Sequence, residues 1–181
     1  MGVRPYLQKM KGTTTSPPRV KLVEILWSWV GAFLGIAAVA SLHYSCLGGT
    51  DLVMIIGSFG ASAVLAYGAI RSPLAQPRNL VGGHVLSAVI GVTFFQSLGA
   101  WPWLAAAGAV ATAIAAMHAT KTLHPPGGAT ALIAIIGSDK IHDLGFFYVV
   151  VPVAAGALVM LLVALIVNNI PSHRRYPEFW I

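Results

Sequence analysis

Apolar residues run along this chain in long blocks. They show neither the strict alternation of a half-buried strand nor the narrow stripe of a soluble amphipathic helix. A helix that crosses a bilayer needs about 20 predominantly apolar residues. Six blocks approach that length, over approximately 24–46, 52–70, 80–98, 101–118, 122–138 and 145–169. Turn chemistry separates them. The separators are Gly48-Gly49-Thr50-Asp51, then Arg71-Ser72-Pro73 through Pro77-Arg78-Asn79, Gly99-Ala100-Trp101-Pro102, the stretch from Lys121 to Gly128, and Ser138-Asp139-Lys140. The last block stops at Asn168-Asn169-Ile170-Pro171. The expectation is an all-α membrane protein of about six transmembrane segments.

Composition agrees. Of 181 residues, 57% are hydrophobic and 9% charged, against roughly 25% charged in soluble domains. A soluble globular enzyme and an intrinsically disordered chain are both excluded on that ground. The formal net charge of +6 suggests nucleic acid only until the basic residues are located. With a cytoplasmic N-terminus, the inside segments 1–23, 71–79, the neighbourhood of Lys121, and 170–181 hold ten of the eleven Lys and Arg residues. Only Lys140 falls outside, beside Asp139 and Asp143. That is the positive-inside pattern, so the surplus sets orientation, places both termini in the cytoplasm and leaves no case for a nucleic-acid partner. Residues 1–23 read as a basic cytoplasmic tail, 24–169 as a single transmembrane domain and 170–181 as a second tail. The apolar run from Leu22 to Leu42 exceeds the usual signal-peptide core, so Ala38-Val39-Ala40 is not read as a cleavage site. A lone Cys46 excludes an intramolecular disulfide.

Gly60-Ala61-Ser62-Ala63-Val64-Leu65-Ala66 returns as Gly128-Ala129-Thr130-Ala131-Leu132-Ile133-Ala134 at an offset of 68 residues, with four identities in seven. The chain thus divides into halves, 24–98 and 101–169, of three segments each. Three is odd, so the second half enters from the opposite side, giving two inverted three-segment repeats as in many transporters. Chance recurrence of small residues in membrane helices is the competing explanation. Gly57-Ser58-Phe59-Gly60 and Pro125-Pro126-Gly127-Gly128 look like breaks followed by fresh helices. Segments two and five are accordingly broken or re-entrant. Four full spans plus two such segments would keep the same sidedness.

Two helix N-termini meeting inside a membrane make a donor-rich, positive site suited to a small anion. Ser58, Phe59, Gly60, Ala61 and Ser62 would supply it from the first break, and Gly127, Gly128, Ala129 and Thr130 from the second. Lys121, three residues before His124, adds charge, or else snorkels to the interface. His124 donates to the anion or couples it to a proton; its alternative duty is to bond a backbone carbonyl at the turn. Gln76, Arg78 and Asn79 form a pore mouth or a rigid turn, and His84 lies inside an apolar block where it needs a partner. His84, His118 and His124 match no zinc spacing, so neither metal nor cofactor is expected. No G-x-S-x-G elbow, H-E-x-x-H helix or paired carboxylates point to an enzyme. Small-residue faces such as Gly31 with Gly35, and Ala37 with Ser41, would admit homo-oligomer packing.

His124-Pro125-Pro126-Gly127-Gly128-Ala129-Thr130-Ala131-Leu132 resembles the motif that gives the HPP family of integral membrane proteins its name. Gly57-Ser58-Phe59-Gly60-Ala61-Ser62-Ala63-Val64-Leu65 and Ser72-Pro73-Leu74-Ala75-Gln76-Pro77-Arg78-Asn79, followed by Gly82-Gly83-His84, are similar to its first-half signature. The likeness covers roughly residues 24–168. It implies transport of a small monovalent anion, with nitrite as the leading substrate, because cyanobacterial and plastid members are implicated in nitrite transport. It implies a cyanobacterial type of inner membrane as the location. The family is often described with four spans, fewer than the six blocks counted above. A channel or carrier for neutral nitrous acid or ammonia, and a sensor or scaffold that transports nothing, stand as alternatives.

Overall fold

A computed structural model describes residues 7–47 and 53–181. The expected turn Gly48-Gly49-Thr50-Asp51 and Arg4 of the N-terminal segment lie outside these. Helices make up the fold, and no strand occurs among the described residues. Helix α1 is Leu22–Ser41, extended by a wider turn over Leu42–Cys46. Helix α2 is the six-residue Ser58–Ala63, prolonged over Val64–Gly68. A 3-10 turn, Pro73–Ala75, leads into α3, Pro77–Leu98. Then come α4 (Pro102–Ala119), α5 (Pro125–Ile136) and a single turn α6 (Asp139–Asp143). Helix α7 starts with an irregular turn, Val149–Ala154, and continues as Ala155–Val167.

Sequence chemistry explains these limits. Proline occupies the first turn of α3, α4 and α5, where its missing N–H removes a donor that would have no partner anyway. Inside α7, Val151 leaves helical geometry beside Pro152, which cannot donate to the preceding turn.

Among the described residues, four helices are long and apolar enough to cross a membrane: Leu22–Cys46, Pro77–Leu98, Pro102–Ala119 and Val149–Val167. Blocks two and five do not reach that length as helices. Residues 53–56 are not helical, so among its described residues the second block is helical only from Ser58. The twelve residues of α5 span about 18 Å of a hydrocarbon core ~30 Å thick. Hydropathy sees an apolar run whether its backbone is helical or extended, which is why six blocks resolve into four long helices and two short ones.

Helix α5 packs on α3 and α4, while α1 packs on α7 and on the end of α2. The α1 face carrying Gly31 and Gly35 lies against the ring of Tyr67, which is fully buried and donates to the Met160 carbonyl at 3.0 Å. A β-carbon at either glycine would overlap that ring. This small-residue face is therefore used inside the chain and is not available to a second copy.

One end of the bundle gathers residues 18–21, the 69–76 connection, Thr120 to Thr122 and the C-terminal residues. The last of these pack against the helices. Tyr176 is buried and donates to the Ala75 carbonyl at 2.7 Å, and the Glu178 amide donates to Gln76 Oε1 at 2.8 Å. Arg174, counted in sequence among the basic residues of a tail, is buried. Its five N–H groups reach Glu24 Oε2, the Glu24 carbonyl, Ser28 Oγ, Asn168 Oδ1 and the Tyr67 carbonyl. One guanidinium thus ties the start of α1 to the ends of α2 and α7. Arg174→Met should lower stability by about 1.5–3 kcal/mol, the range for hydrogen bonds to charged groups. Thermal unfolding in detergent, with exposed Arg175→Met as the control, measures it; equal midpoints for the two variants would refute the clamp.

Candidate functional site

The two short helices run in opposite directions side by side. Ser58, first residue of α2, lies beside Thr130 in the second turn of α5, with Oγ to Oγ1 at 2.9 Å. Ser62, in the second turn of α2, lies beside His124 at the start of α5, with Oγ to Nε2 at 3.0 Å. The helix starts therefore overlap by about a turn, where a head-on meeting was expected. The close approach of α3 and α5 has a local cause. Gly127 sits so near the Gly83 carbonyl and Ser87 Oγ that a side chain there would collide with both.

His84 of α3 enters between the two short helices. Its Nε2 is 2.7 Å from Ser62 Oγ and its Nδ1 is 2.6 Å from Thr130 Oγ1. His124 Nδ1 is 2.8 Å from the Leu74 carbonyl. Ser58, Ser62, His84, His124 and Thr130 are all buried. His84 is the eighth residue of α3, about 10 Å along the helix from its start at 1.5 Å per residue. The ring edge of Phe59 closes one side, 5.4 Å from His84 between centroids, and the two imidazoles stand 5.0 Å apart.

For neutral rings these contacts allow one closed arrangement of protons. A carbonyl only accepts, so neutral His124 carries its proton on Nδ1 and donates to Leu74. Its Nε2 must then accept from the Ser62 hydroxyl. Ser62, having one proton, accepts from Nε2–H of His84, which leaves Nδ1 of His84 to accept from Thr130; the same Thr130 hydroxyl also has Ser58 Oγ and the Pro126 carbonyl as acceptors within reach. A directed chain results: Thr130 to His84, to Ser62, to His124, to the Leu74 carbonyl at the loop. Ser58 adjoins it at Thr130. Adding a proton at either imidazole would reverse the donors beyond it, so the chain can pass a proton along its length.

The other sequence candidates separate into groups. Phe59 packs in the core, whereas Gly60 and Ala61 are on the exposed face of α2. Gly128 and Ala129 are half-buried beside Val110 and Ile114 on the outer side of α5. The Phe59 and Gly60 amides, expected to face an anion, already donate to the Ile56 and Gly57 carbonyls, and the Gly127 amide donates to the His124 carbonyl. Gln76 donates to the Ile70 and Ser72 carbonyls, Asn79 to Leu123, and Arg78 to Thr120 at 2.6 Å. These three brace the two loops that enter the bundle. Lys121 is exposed, in left-handed backbone (φ 57°), where α4 ends. It lies outside the buried chain. Sequence reasoning missed Tyr148, which donates to the Thr130 carbonyl at 3.1 Å, and the Leu74 carbonyl. No local pattern marks either.

The chain matches the HPP transmembrane region over residues 17–177, and it belongs to that family. Two proteins of Dictyostelium discoideum, each named only as a transmembrane protein, are similar to it. One is 51% identical over 178 residues, covering 97% of this chain and 57% of its own length. The other is 46% identical over 180 residues, covering 97% and 63%. The chain thus spans about three fifths of the length of these relatives. No solved structure matches it. Membership and four long apolar helices make it an integral membrane protein.

Ser62 is the one hydroxyl that both imidazoles share. Ser62→Ala would leave two buried ring nitrogens without their partner, at about 1–3 kcal/mol each, while Ala61→Ser on the exposed face should be neutral. Thermal unfolding of the purified variants tests this, and an unchanged midpoint for Ser62→Ala would show that the chain of bonds is not closed as described.

Proposed function

We propose that this protein carries a small monovalent anion across the membrane, nitrite being the leading substrate, through the site where α2 and α5 overlap. The observation that carries the reading is the buried chain of two imidazoles and three hydroxyls, held between two interrupted helices. Such interruptions inside a bilayer are tolerated where they are buried in protein or line a path. Residues of this kind at membrane depth serve permeation more often than packing.

The spacing of elements supports an inverted repeat. Shifting by 68 residues carries α2 with its extension, 58–68, onto 126–136, close to the observed Pro125–Ile136. It carries 77–98 onto 145–166, close to Val149–Val167. Ser62 falls on Thr130, the two hydroxyls that His84 bridges. His84 itself falls on Pro152, so the site is asymmetric around one imidazole.

The centre holds no fixed charge, and an isolated buried anion is costly. A proton arriving on the His84–His124 pair together with the anion keeps the site neutral as a whole. The hydrogen-bond chain, whose donors point towards the Leu74 carbonyl, would relay a proton to that pair from its Thr130 end. Lys121, with the other basic groups at the Leu74 end of the bundle, raises the local anion concentration. This end is the cytoplasmic one if the positive-inside rule holds. No enzymatic step is invoked.

Nitrite uptake into liposomes containing only this protein should exceed that into empty ones, and the lumen should acidify in step. His84→Ala should reduce the protein-dependent flux at least tenfold. Lys121→Ala should slow it at low salt, with the difference fading as salt screens the mouth. Absence of uptake at several pH values and imposed potentials would overturn the proposal. The uncharged centre also suits a neutral solute such as nitrous acid or ammonia. Flux unchanged by Lys121→Ala at every salt concentration would favour that reading.

A further inference from the structure

A second feature lies apart from the buried chain. At the end of the bundle where α1 begins, residues 18–21, the first turn of α1, the 68–72 connection and the C-terminal residues enclose a cleft of about 720 Å³. Ligand clefts commonly occupy ~300–1,000 Å³. Arg19, Lys21, Arg71 and Arg174 line it, with Glu24 the sole acid. Arg174 forms its floor and is spent on Glu24 and its neighbours, and His173 Nε2 also meets Glu24, at 2.7 Å. Arg19, Lys21 and Arg71 are exposed, and their side chains make no hydrogen bond or ion pair among the described residues. Three uncompensated cations thus face one concavity whose own acid is already neutralised.

The cleft borders an exposed, small-residue face of α2. Gly68 and Ala69 form part of its wall, and from Gly68 the exposed positions Val64, Ala61, Gly60 and Gly57 follow one face of α2 inward. Space beyond Gly57, Gly60 and Gly68 is open to at least 4 Å. That face is about 16 Å long at 1.5 Å per residue, roughly one leaflet of a ~30 Å hydrocarbon core. Gly60 and Ala61, which contribute nothing to the buried chain, gain a reason for being small.

We propose that the cleft binds the phosphate of an anionic phospholipid headgroup, whose acyl chain lies along the small-residue face of α2. Basic pockets at the ends of membrane helices recognise such headgroups. The exposed apolar face beside the cleft is what favours a lipid over a free phosphate ion, since the ion has no use for it. The occupant would touch the outer face of the same short helix that carries Ser58 and Ser62 on its inner face.

Native mass spectrometry of the protein extracted from vesicles of mixed phosphatidylglycerol and phosphatidylcholine reads the site directly. One phosphatidylglycerol should be retained in preference to phosphatidylcholine. The Arg19→Gln, Lys21→Gln, Arg71→Gln triple variant should lower that retention at least tenfold, while Lys9→Gln, an equally exposed charge away from the cleft, leaves it intact. Ala61→Leu should weaken retention without removing the headgroup preference. Inorganic phosphate at millimolar concentration should fail to displace the lipid. Full displacement by phosphate would overturn the lipid assignment in favour of a free phosphate anion. Equal retention of both lipids, or no difference between the triple variant and Lys9→Gln, would overturn the site altogether. A dimer that Ala61→Leu abolishes, with lipid retention unchanged, would assign the α2 face to a second copy instead.

Discussion

A polar group inside a bilayer has no water to bond, so the chain must satisfy it internally. Two interrupted helices bring several such groups to one depth, and the single imidazole of His84 joins them. It links a hydroxyl of α2 to a hydroxyl of α5, and through Ser62 it reaches His124 and the Leu74 loop. Among the described residues, no buried side-chain nitrogen or oxygen lacks a partner. The positions of α2, α5 and the loops before them follow from that closure. Gln76, Asn79 and Arg78 hold the loops, Tyr148 holds Thr130, and Gly83 with Gly127 lets α3 and α5 come close enough for the imidazole to reach.

Satisfaction of this kind serves two ends. It holds short helices in place that lack the length to be stable spans on their own. It also leaves a string of exchangeable donors and acceptors where a covalently rigid or apolar packing would leave none. Each bond in the chain is one that a small anion with acceptor oxygens can replace. Exchange of nearly equal hydrogen bonds is a low-cost way to open a closed site. The same reasoning explains why fixed charge stays at the periphery: Lys121 and Arg78 are at the bundle end, where water screens them.

Much of this was readable from residue order. Gly57-Ser58-Phe59-Gly60 and His124-Pro125-Pro126-Gly127 mark helix starts because their backbone chemistry is local. The requirement that His84 find a partner follows from its place in an apolar block. The parts that escaped are the non-local ones. Whether residues 53–56 form helix or irregular backbone depends on what they pack against. The overlap of α2 and α5 depends on helix directions that spacing does not encode. Arg174 reads as one more positive-inside charge until its five partners, drawn from α1, α2 and α7, are assembled around it. Lys121 sits three residues from His124 in sequence, yet the chain turns between them, leaving one exposed and the other buried.

Nitrogen-15 NMR of labelled histidine in lipid bilayers tests the proton arrangement and its coupling to substrate in one measurement. Without nitrite, His124 should carry its proton on Nδ1 and His84 on Nε2. On addition of nitrite, the shifts of one of the two should move to those of a doubly protonated ring. Identical tautomers at rest, or shifts that nitrite leaves unchanged up to saturating concentration, would contradict a site in which these imidazoles receive the proton that accompanies the anion.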